Sequence, residues 1–299
     1  MLHILTYNIL PVFFMLALGF AMGRTGKATT DEARALNRIA FLVLQPALVF
    51  PLITRIDLAT WNSGAMSIWV GCQIAVFAVT YGLARLVFHR AHVESWLLGM
   101  AVIFINTLFY IWQIAALLYG EGPSLPITAI VAWDSAITCA FFIVSLELMA
   151  GRGDTRVVVK RIAANPVILS ILLGLVVNLA GLAVPAPILT AAQFAGAGAA
   201  PLTLFALGVI LSSHAVKPTP AIIAFSTLKL LAFPVLVLMA FATVSPANPW
   251  RDMFLLTAAG PSGAMAFSLA MLYNVRTDII APVIIWTSLL SLISLAYLA

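Results

Sequence analysis

The chain has 299 residues, of which 63% are apolar and 8% charged, and its mean hydropathy is +1.12. These values exclude an ordinary soluble globular domain and indicate a polytopic membrane protein, because a spanning helix needs about 20 mostly apolar residues. The net charge of +5 comes from short loops between apolar segments, so it predicts membrane topology and no nucleic-acid binding. Both cysteines, Cys72 and Cys139, fall inside apolar segments, which indicates neither a disulfide nor a metal site.

Hydropathy, together with breaks at charge, Pro and Gly, predicts ten spans in an all-α membrane protein with both termini on one side. The loops after odd-numbered spans, with Arg38 just inside the second span, carry twelve basic residues, and the opposite loops carry only Arg55 and Arg251. The positive-inside rule therefore predicts a multi-pass protein of the cell membrane in which the loops after odd-numbered spans are cytoplasmic and both termini are not. The predicted spans are residues 4–23, 35–54, 63–88, 96–119, 126–150, 165–183, 188–213, 220–244, 252–275 and 279–298.

Prolines and glycines recur at one offset along the chain, which predicts an internal repeat. Each repeat holds five spans, an odd number, so the second repeat must be inverted relative to the first. Such inverted repeats are typical of secondary transporters, whose substrate sites lie near the midplane and are built from interrupted helices. Residues 151–163 form the predicted cytoplasmic loop between the repeats. The pairs separated by 155 positions are Pro11 with Pro166, Gly19 with Gly174, Gly26 with Gly181, and Pro46 with Pro201.

Span nine carries the segment AAGPSGAMAFS at residues 258–268. Pro261 removes a helical hydrogen bond, and Gly260 and Gly263 let the backbone unwind, so the sequence predicts an interruption. The helix that begins after it would offer free N–H groups to a carboxylate, with the Ser262 hydroxyl as a further donor. A simple packing kink at Pro261 remains the alternative. Subtracting 155 aligns Pro261 with Asn106 in span four, and both spans are the fourth of their repeats.

The sequence resembles the auxin efflux carrier family of membrane permeases, which includes plant PIN proteins and malonate permeases. The resemblance rests on residues 10–50, on NPVILSILLGLVVNLAG, on APLTLFALGVIL and on GPSGAMAFSLAMLYNV. It implies the fold of bile-acid sodium symporters, in which the two fourth spans cross and scaffold helices pair in a homodimer. It also implies a scaffold and a moving transport unit. The scaffold is then residues 1–60 and 164–215, and the transport unit is residues 61–150 and 216–299.

Span four departs from the family motif, which has two glycines and a proline. The segment NTLFYIWQ, residues 106–113, carries Leu108, Ile111 and Gln113 at those positions. The sequence therefore leaves open whether span four is interrupted, continuous or only bulged. Its candidate substrate-binding residues are Asn106, Thr107, Tyr110 and Gln113, beside Gly260, Pro261, Ser262 and Gly263 in span nine.

Three further polar residues lie within spans. Lys229 stands about ten residues into span eight, roughly 15 Å deep at 1.5 Å per residue. We interpret it as a fixed cation that replaces a coupling sodium or balances the substrate charge, although a structural or snorkelling lysine remains open. Asp134 in span five is a candidate to pair with Lys229, to bind a proton or to join helices. Gln73 either lines the cavity or joins helices.

The leading functional hypothesis is a secondary carrier of small organic anions that works by an elevator-like alternating-access movement. A sodium-coupled symporter ranks below it, because span nine offers no carboxylate for sodium. A membrane anion sensor that does not transport is the third hypothesis. The sequence contains no catalytic triad, nucleotide-binding loop or metal-ligand spacing, so it predicts no enzyme, no cofactor and no metal site.

Overall fold

The computed structural model describes residue 3 and residues 5–119, 125–149, 163–214 and 216–298 of the chain. Within these ranges the protein consists of helices and turns, with one isolated antiparallel bridge. Five of the helices include a five-residue π-helical turn. The main helices are α1 (Leu5–Arg24), α2 (Thr30–Thr54), α3 (Ser63–Leu86), α4 (His92–Ile103), α5 (Thr107–Tyr119), α6 (Leu125–Met149), α7 (Pro166–Leu179), α8 (Ala186–Ser212), α9 (Pro220–Val244), α10 (Arg251–Ala258), α11 (Met265–Leu272) and α12 (Ile280–Leu298).

Seven of the described helices are long and apolar enough to cross a membrane: α1, α2, α3, α6, α8, α9 and α12. The predicted multi-pass, all-α membrane fold is thereby confirmed. Predicted spans 96–119 and 252–275 are each divided into two shorter helices, and 165–183 corresponds to the 14-residue α7. The full ten-span inverted organisation and the division into scaffold and transport unit stay predictions. Residues 151–162 of the predicted central loop lie outside the described residues.

Local sequence signals explain where helices begin. Thr29 and Glu32 form a capping box at the start of α2, in which each side chain accepts a backbone N–H bond from the other residue. Asn165 caps α7 in a similar way by accepting from the amides of Val167 and Ile168, directly before Pro166. These caps satisfy amides that would otherwise lack partners at the helix ends.

Contacts divide the chain into two compact units, and the first contains both fourth spans. In this unit α3 packs on α4, and α9 packs on α3 and α10. α11 packs along α4, and α12 contacts both of them. A buried aromatic cluster of Trp69, Phe233 and Phe254 fills the space between α3, α9 and α10, with ring centroids 5.3 Å apart. The unit comprises Met1–Phe13, Asn62–Ile127 and His214–Ala299.

The second unit comprises Phe14–Trp61 and Thr128–Ser213, and α2 packs in it against α7 and α8. Helices approach closely at two glycines, since an added Cβ would lie 2.1 Å from the Phe205 carbonyl oxygen at Gly19 and 3.3 Å from that of Phe50 at Gly174. Gly19 and Gly174 are 155 positions apart, and so are their partners Phe50 and Phe205. Local packing at these positions therefore follows the offset found in the sequence.

A second pair of glycines at the same offset, Gly26 and Gly181, follows the ends of α1 and α7 with the same backbone conformation. Gly26 has a φ of 71° and Gly181 has a φ of 62°. Residues with side chains rarely adopt this left-handed conformation, which is common just after the last turn of a helix. Two positions identified as a repeat pair from the sequence thus share an uncommon backbone geometry.

Candidate functional site

The two interrupted spans meet at an isolated antiparallel bridge in the first unit. α4 ends at Ile103 and α10 at Ala258, and between these ends and the next helices Ile105 and Ser262 form an antiparallel bridge. The Asn106 amide donates to the Pro261 carbonyl at 3.0 Å, and the Gly263 amide donates to the Phe104 carbonyl at 2.8 Å. The predicted interruption of span nine is confirmed, and span four, which the sequence left open, is interrupted as well.

Span four breaks although it lacks the proline, because span nine takes up its freed backbone groups. The backbone of Phe104 is extended, with a ψ of 112°, so it leaves the helix. Its carbonyl is then satisfied by Gly263 and the Asn106 amide by Pro261. Gly263 permits this approach, since an added Cβ would lie 2.8 Å from the Phe104 ring and 3.1 Å from the Ile105 carbonyl oxygen. The conformation of span four is therefore set by its partner segment.

Polar side chains donate hydrogen bonds to the last carbonyl of α4 and to the last carbonyl of α10, the two helices that precede the breaks. Lys229 donates from Nζ to the Ala258 carbonyl at 2.7 Å, and Gln73 donates from Nε2 to the Ile103 carbonyl at a longer 3.5 Å. Ile103 and Ala258 are themselves separated by 155 positions. The carboxyl end of a helix carries a partial negative charge, so the Lys229 ammonium stabilises the end of α10 more strongly than the neutral amide of Gln73 stabilises α4.

α12 satisfies other freed groups of the break in span nine. The Ser262 amide donates to the Thr287 hydroxyl at 3.2 Å, and the Ser294 hydroxyl donates to the Ala259 carbonyl at 3.2 Å. The Gly260 amide donates to the Thr257 carbonyl at 3.0 Å. The amides of Gly260, Ser262 and Gly263 therefore all donate hydrogen bonds to groups within the protein. The first amides of α5 and α11 have no intrahelical partner, as at the start of any helix.

Two hydroxyls at the crossing are buried and have no hydrogen-bond partner among the described residues: Thr107 Oγ1 and Ser262 Oγ. Buried polar groups are normally paired, so a pair of such hydroxyls at one place needs an explanation. The Asn106 side chain does not cap the helix that follows it. Tyr110 is fully buried in the π-helical turn of α5, and Gln113 lies half-buried in the next turn. The crossing thus collects polar groups from both spans.

The two charged residues predicted within spans lie in π-helical turns, a geometry that often accompanies functional sites. Lys229 is fully buried in the turn Leu228–Ala232, with Nζ 5.2 Å from the centre of the Phe233 ring. Asp134 is buried in the turn Asp134–Thr138 of the second unit and accepts a hydrogen bond from Thr138 at 3.1 Å. Its pairing with Lys229 stays a prediction.

Sequence reasoning missed a buried carboxylate in the first unit. Glu94 lies in the first turn of α4 and forms ion pairs with Arg90 and Arg276. The i,i+4 spacing of Arg90 and Glu94 is a sequence signal for one of these pairs. Arg276 lies 182 positions away, so only the fold brings it close to Glu94.

Comparison with known proteins agrees with this architecture. The family model described as "Membrane transport protein" matches residues 153–299. A "Putative malonate transporter" of Rhizobium meliloti is 26% identical over 96% of this chain and 92% of its own length. An "Uncharacterized transporter" of Methanothermobacter thermautotrophicus is 29% identical over 97% of this chain and 96% of its own, and "Uncharacterized transporter YfdV" of Escherichia coli K12 is 24% identical over 90% and 88%.

A helical protein with many membrane-spanning helices and a crossing of interrupted helices has the features of a membrane transporter. The family match and the nearly full-length relatives, all named as transporters, confirm the resemblance found in the sequence. Over residues 153–299 the chain is similar to this family of membrane transport proteins, and over nearly its full length it is similar to these named transporters.

Proposed function

We propose that this protein is a secondary transporter that carries small organic anions, carboxylates in particular, and binds them at the crossing of spans four and nine. The observation that carries the proposal is the pair of buried hydroxyls, Thr107 Oγ1 and Ser262 Oγ, which have no partner among the described residues. They stand beside the starts of α5 and α11. Helix amino-terminal ends bind anions through free N–H groups and the positive end of the helix dipole.

The arrangement supports an anion over a cation as the substrate. Three carbonyl groups at the break in span nine already accept hydrogen bonds, from Lys229, Ser294 and the Asn106 amide. The remaining groups include hydroxyls and first-turn amides, which donate hydrogen bonds to a carboxylate. The relative named as a putative malonate transporter is consistent with a small carboxylate as the substrate.

Transport requires that the crossing be exposed to each side of the membrane in turn. In the proposed elevator-like cycle, residues 61–150 and 216–299 move relative to the scaffold of residues 1–60 and 164–215. The protein would lie in the cell membrane with both termini outside the cytoplasm, and the scaffold would also form a homodimer. Repeat-related geometry at Gly26 and Gly181 supports the inverted repeat on which this cycle depends.

The role of Lys229 distinguishes this proposal from sodium coupling. The ammonium group already occupies the carbonyl end of α10, where a coupling cation would otherwise be attracted. A fixed cation there favours anion transport without sodium. A non-transporting anion sensor is the remaining alternative, and it differs from a carrier by binding without counterflow.

Uptake by proteoliposomes that contain the purified protein tests the proposal. Labelled malonate and related carboxylates should enter saturably, and preloading with unlabelled anion should accelerate entry. Asn106→Ala and Lys229→Ala should each reduce this flux strongly. Thr243→Val is the matched control on α9, because its exposed hydroxyl bonds only to the preceding turn. Unchanged flux in both site variants would refute the site, and tight binding without counterflow would favour the sensor.

A further inference from the structure

A cluster of four charged side chains lies at the end of α4 farthest from the bridge. Glu94 Oε1 is 3.1 Å from Arg90 Nη1, and Glu94 Oε2 is 2.8 Å from Arg276 Nη2. Arg90 Nη1 is also 3.1 Å from Asp278 Oδ2. Arg90 and Glu94 belong to the start of α4, whereas Arg276 and Asp278 lie in the connection between α11 and α12. The cluster therefore joins the beginning of span four to the end of span nine.

Glu94 is the central group of this cluster. Its side chain is only 2% exposed, and each carboxylate oxygen contacts a different arginine. A buried carboxylate is costly unless it is paired, and the first turn of a helix is a favourable place for its charge. Hydrogen bonding and charge from Glu94, with a further contribution from Asp278, raise the pKa of Arg276. The local charges attract one another, and the two cations balance the two carboxylates.

This cluster and the bridge fasten the same two helices at opposite ends. α4 runs toward the crossing for 12 residues, about 18 Å, and α11 packs along it. At the crossing the Gly263 amide bonds to the Phe104 carbonyl, and at the far end Arg276 bonds to Glu94. Separating the far ends of the two helices would leave the buried Glu94 with only one of its two cations. That cost holds the helices together.

From this arrangement we infer that Glu94 and Arg276 are a positioning pair, which makes α4 and α11 move as one body while the crossing carries the anion. The inference rests on the proposed transport function. It means that the anion does not pass between α4 and α11 at their charged end. The opposite role, a gate that opens there in every cycle, predicts the opposite result when the two helices are linked covalently.

The test uses Glu94→Cys together with Arg276→Cys in a chain whose buried Cys72 and Cys139 are replaced by alanine. With free thiols the ion pair is absent, and carboxylate flux should fall at least several-fold. A short bifunctional thiol reagent that links the two new cysteines should restore most of that flux. Asp31→Cys with Arg34→Cys is the matched control, because this ion pair is largely exposed and joins two positions of one helix. Its flux should stay unchanged with and without the linker.

Two results would overturn the inference. Linked protein that stays inactive while its melting temperature rises would show that the pair must separate. Full flux and an unchanged melting temperature with free thiols would show that the pair positions nothing. Arg276→Lys and Arg276→Gln provide a test that keeps Glu94: the lysine variant should retain most flux, whereas the glutamine variant should lose maximal rate with little change in the half-saturation concentration.

The proposed function and this inference fail in different ways. Absence of saturable carboxylate flux in the unmodified protein refutes the function. In that case the coupling between Glu94 and Arg276 can still be measured from the melting temperatures of Glu94→Gln, Arg276→Gln and the double variant. The melting temperature of the double variant should fall by less than the sum of the two single decreases. An additive decrease would contradict the inference.

Discussion

The Asn106 amide donates a hydrogen bond to the Pro261 carbonyl at 3.0 Å, and these two residues are separated by the 155 positions that relate the other repeat pairs. Pro261 has no N–H group, so it cannot return the bond to Asn106. The Gly263 amide bonds to the Phe104 carbonyl on the other side of the bridge. These two hydrogen bonds flank the bridged pair Ile105 and Ser262.

Gly263→Ala should weaken this bridge. The added Cβ would lie 2.8 Å from the Phe104 ring and 3.1 Å from the Ile105 carbonyl oxygen, and a carbonyl held in the bridge cannot move away freely. Crowding of this kind costs about 1–3 kcal/mol of folding free energy. The melting temperature of the purified protein in detergent should fall accordingly.

Gly82→Ala is the control for that substitution, because Gly82 lies inside α3 and no heavy atom lies within 4 Å of the added Cβ. Alanine is favoured over glycine inside a helix by roughly 0.5–1 kcal/mol, so this variant should melt at the same temperature or slightly higher. Equal melting temperatures for the two variants would mean that close contact at Gly263 does not hold the crossing.

The break in span nine was predictable because Pro261 and its glycines disrupt a helix locally. The break in span four was not, because residues 104–106 carry no local signal and leave the helix only where another segment accepts their hydrogen bonds. The offset of 155 nevertheless paired Asn106 with Pro261 correctly. Contacts such as Glu94 with Arg276 join residues far apart in the chain, so composition and spacing could not reveal them.

Ser262→Ala and Thr107→Val should separate ligand binding from folding. Neither hydroxyl has a partner among the described residues, so their loss should change stability little. A hydrogen bond to a charged group is worth about 1.5–3 kcal/mol, so each variant should bind carboxylate on the order of tenfold or more weakly. Binding is measured by calorimetry or by ligand-dependent melting.

Thr287→Val provides the contrast. The Thr287 hydroxyl accepts from the buried Ser262 amide, and valine would leave that amide without an acceptor at a cost of about 1–3 kcal/mol. This variant should therefore melt at a lower temperature. If Ser262→Ala and Thr107→Val melt as low as Thr287→Val and bind anion normally, these hydroxyls support the fold and do not bind substrate.

Lys229→Met should lower the stability of the protein more than Gln73→Leu, although both side chains bond to the last carbonyl of a helix, α10 and α4 respectively. Methionine fills much of the lysine volume but leaves the buried Ala258 carbonyl without its cation, which should cost about 1–3 kcal/mol. The bond from Gln73 to the Ile103 carbonyl is long at 3.5 Å, so the helix end of α4 should lose about 1 kcal/mol or less with this bond. Melting temperature measures both, and a larger loss for Gln73→Leu would contradict the proposed role of Lys229.

Replacing sodium by choline on both sides of the membrane should leave carboxylate flux unchanged in the unmodified protein. Lys229 Nζ already donates to the carbonyl at the end of α10, so we expect the site to need no sodium ion at this helix end. Initial rates of uptake into proteoliposomes, measured with each cation at a fixed membrane potential, provide the test. Potassium in place of choline serves as a control for effects of the choline ion itself. Flux that disappears without sodium would instead establish a sodium symporter and would refute the interpretation of Lys229 as a fixed replacement for the coupling cation.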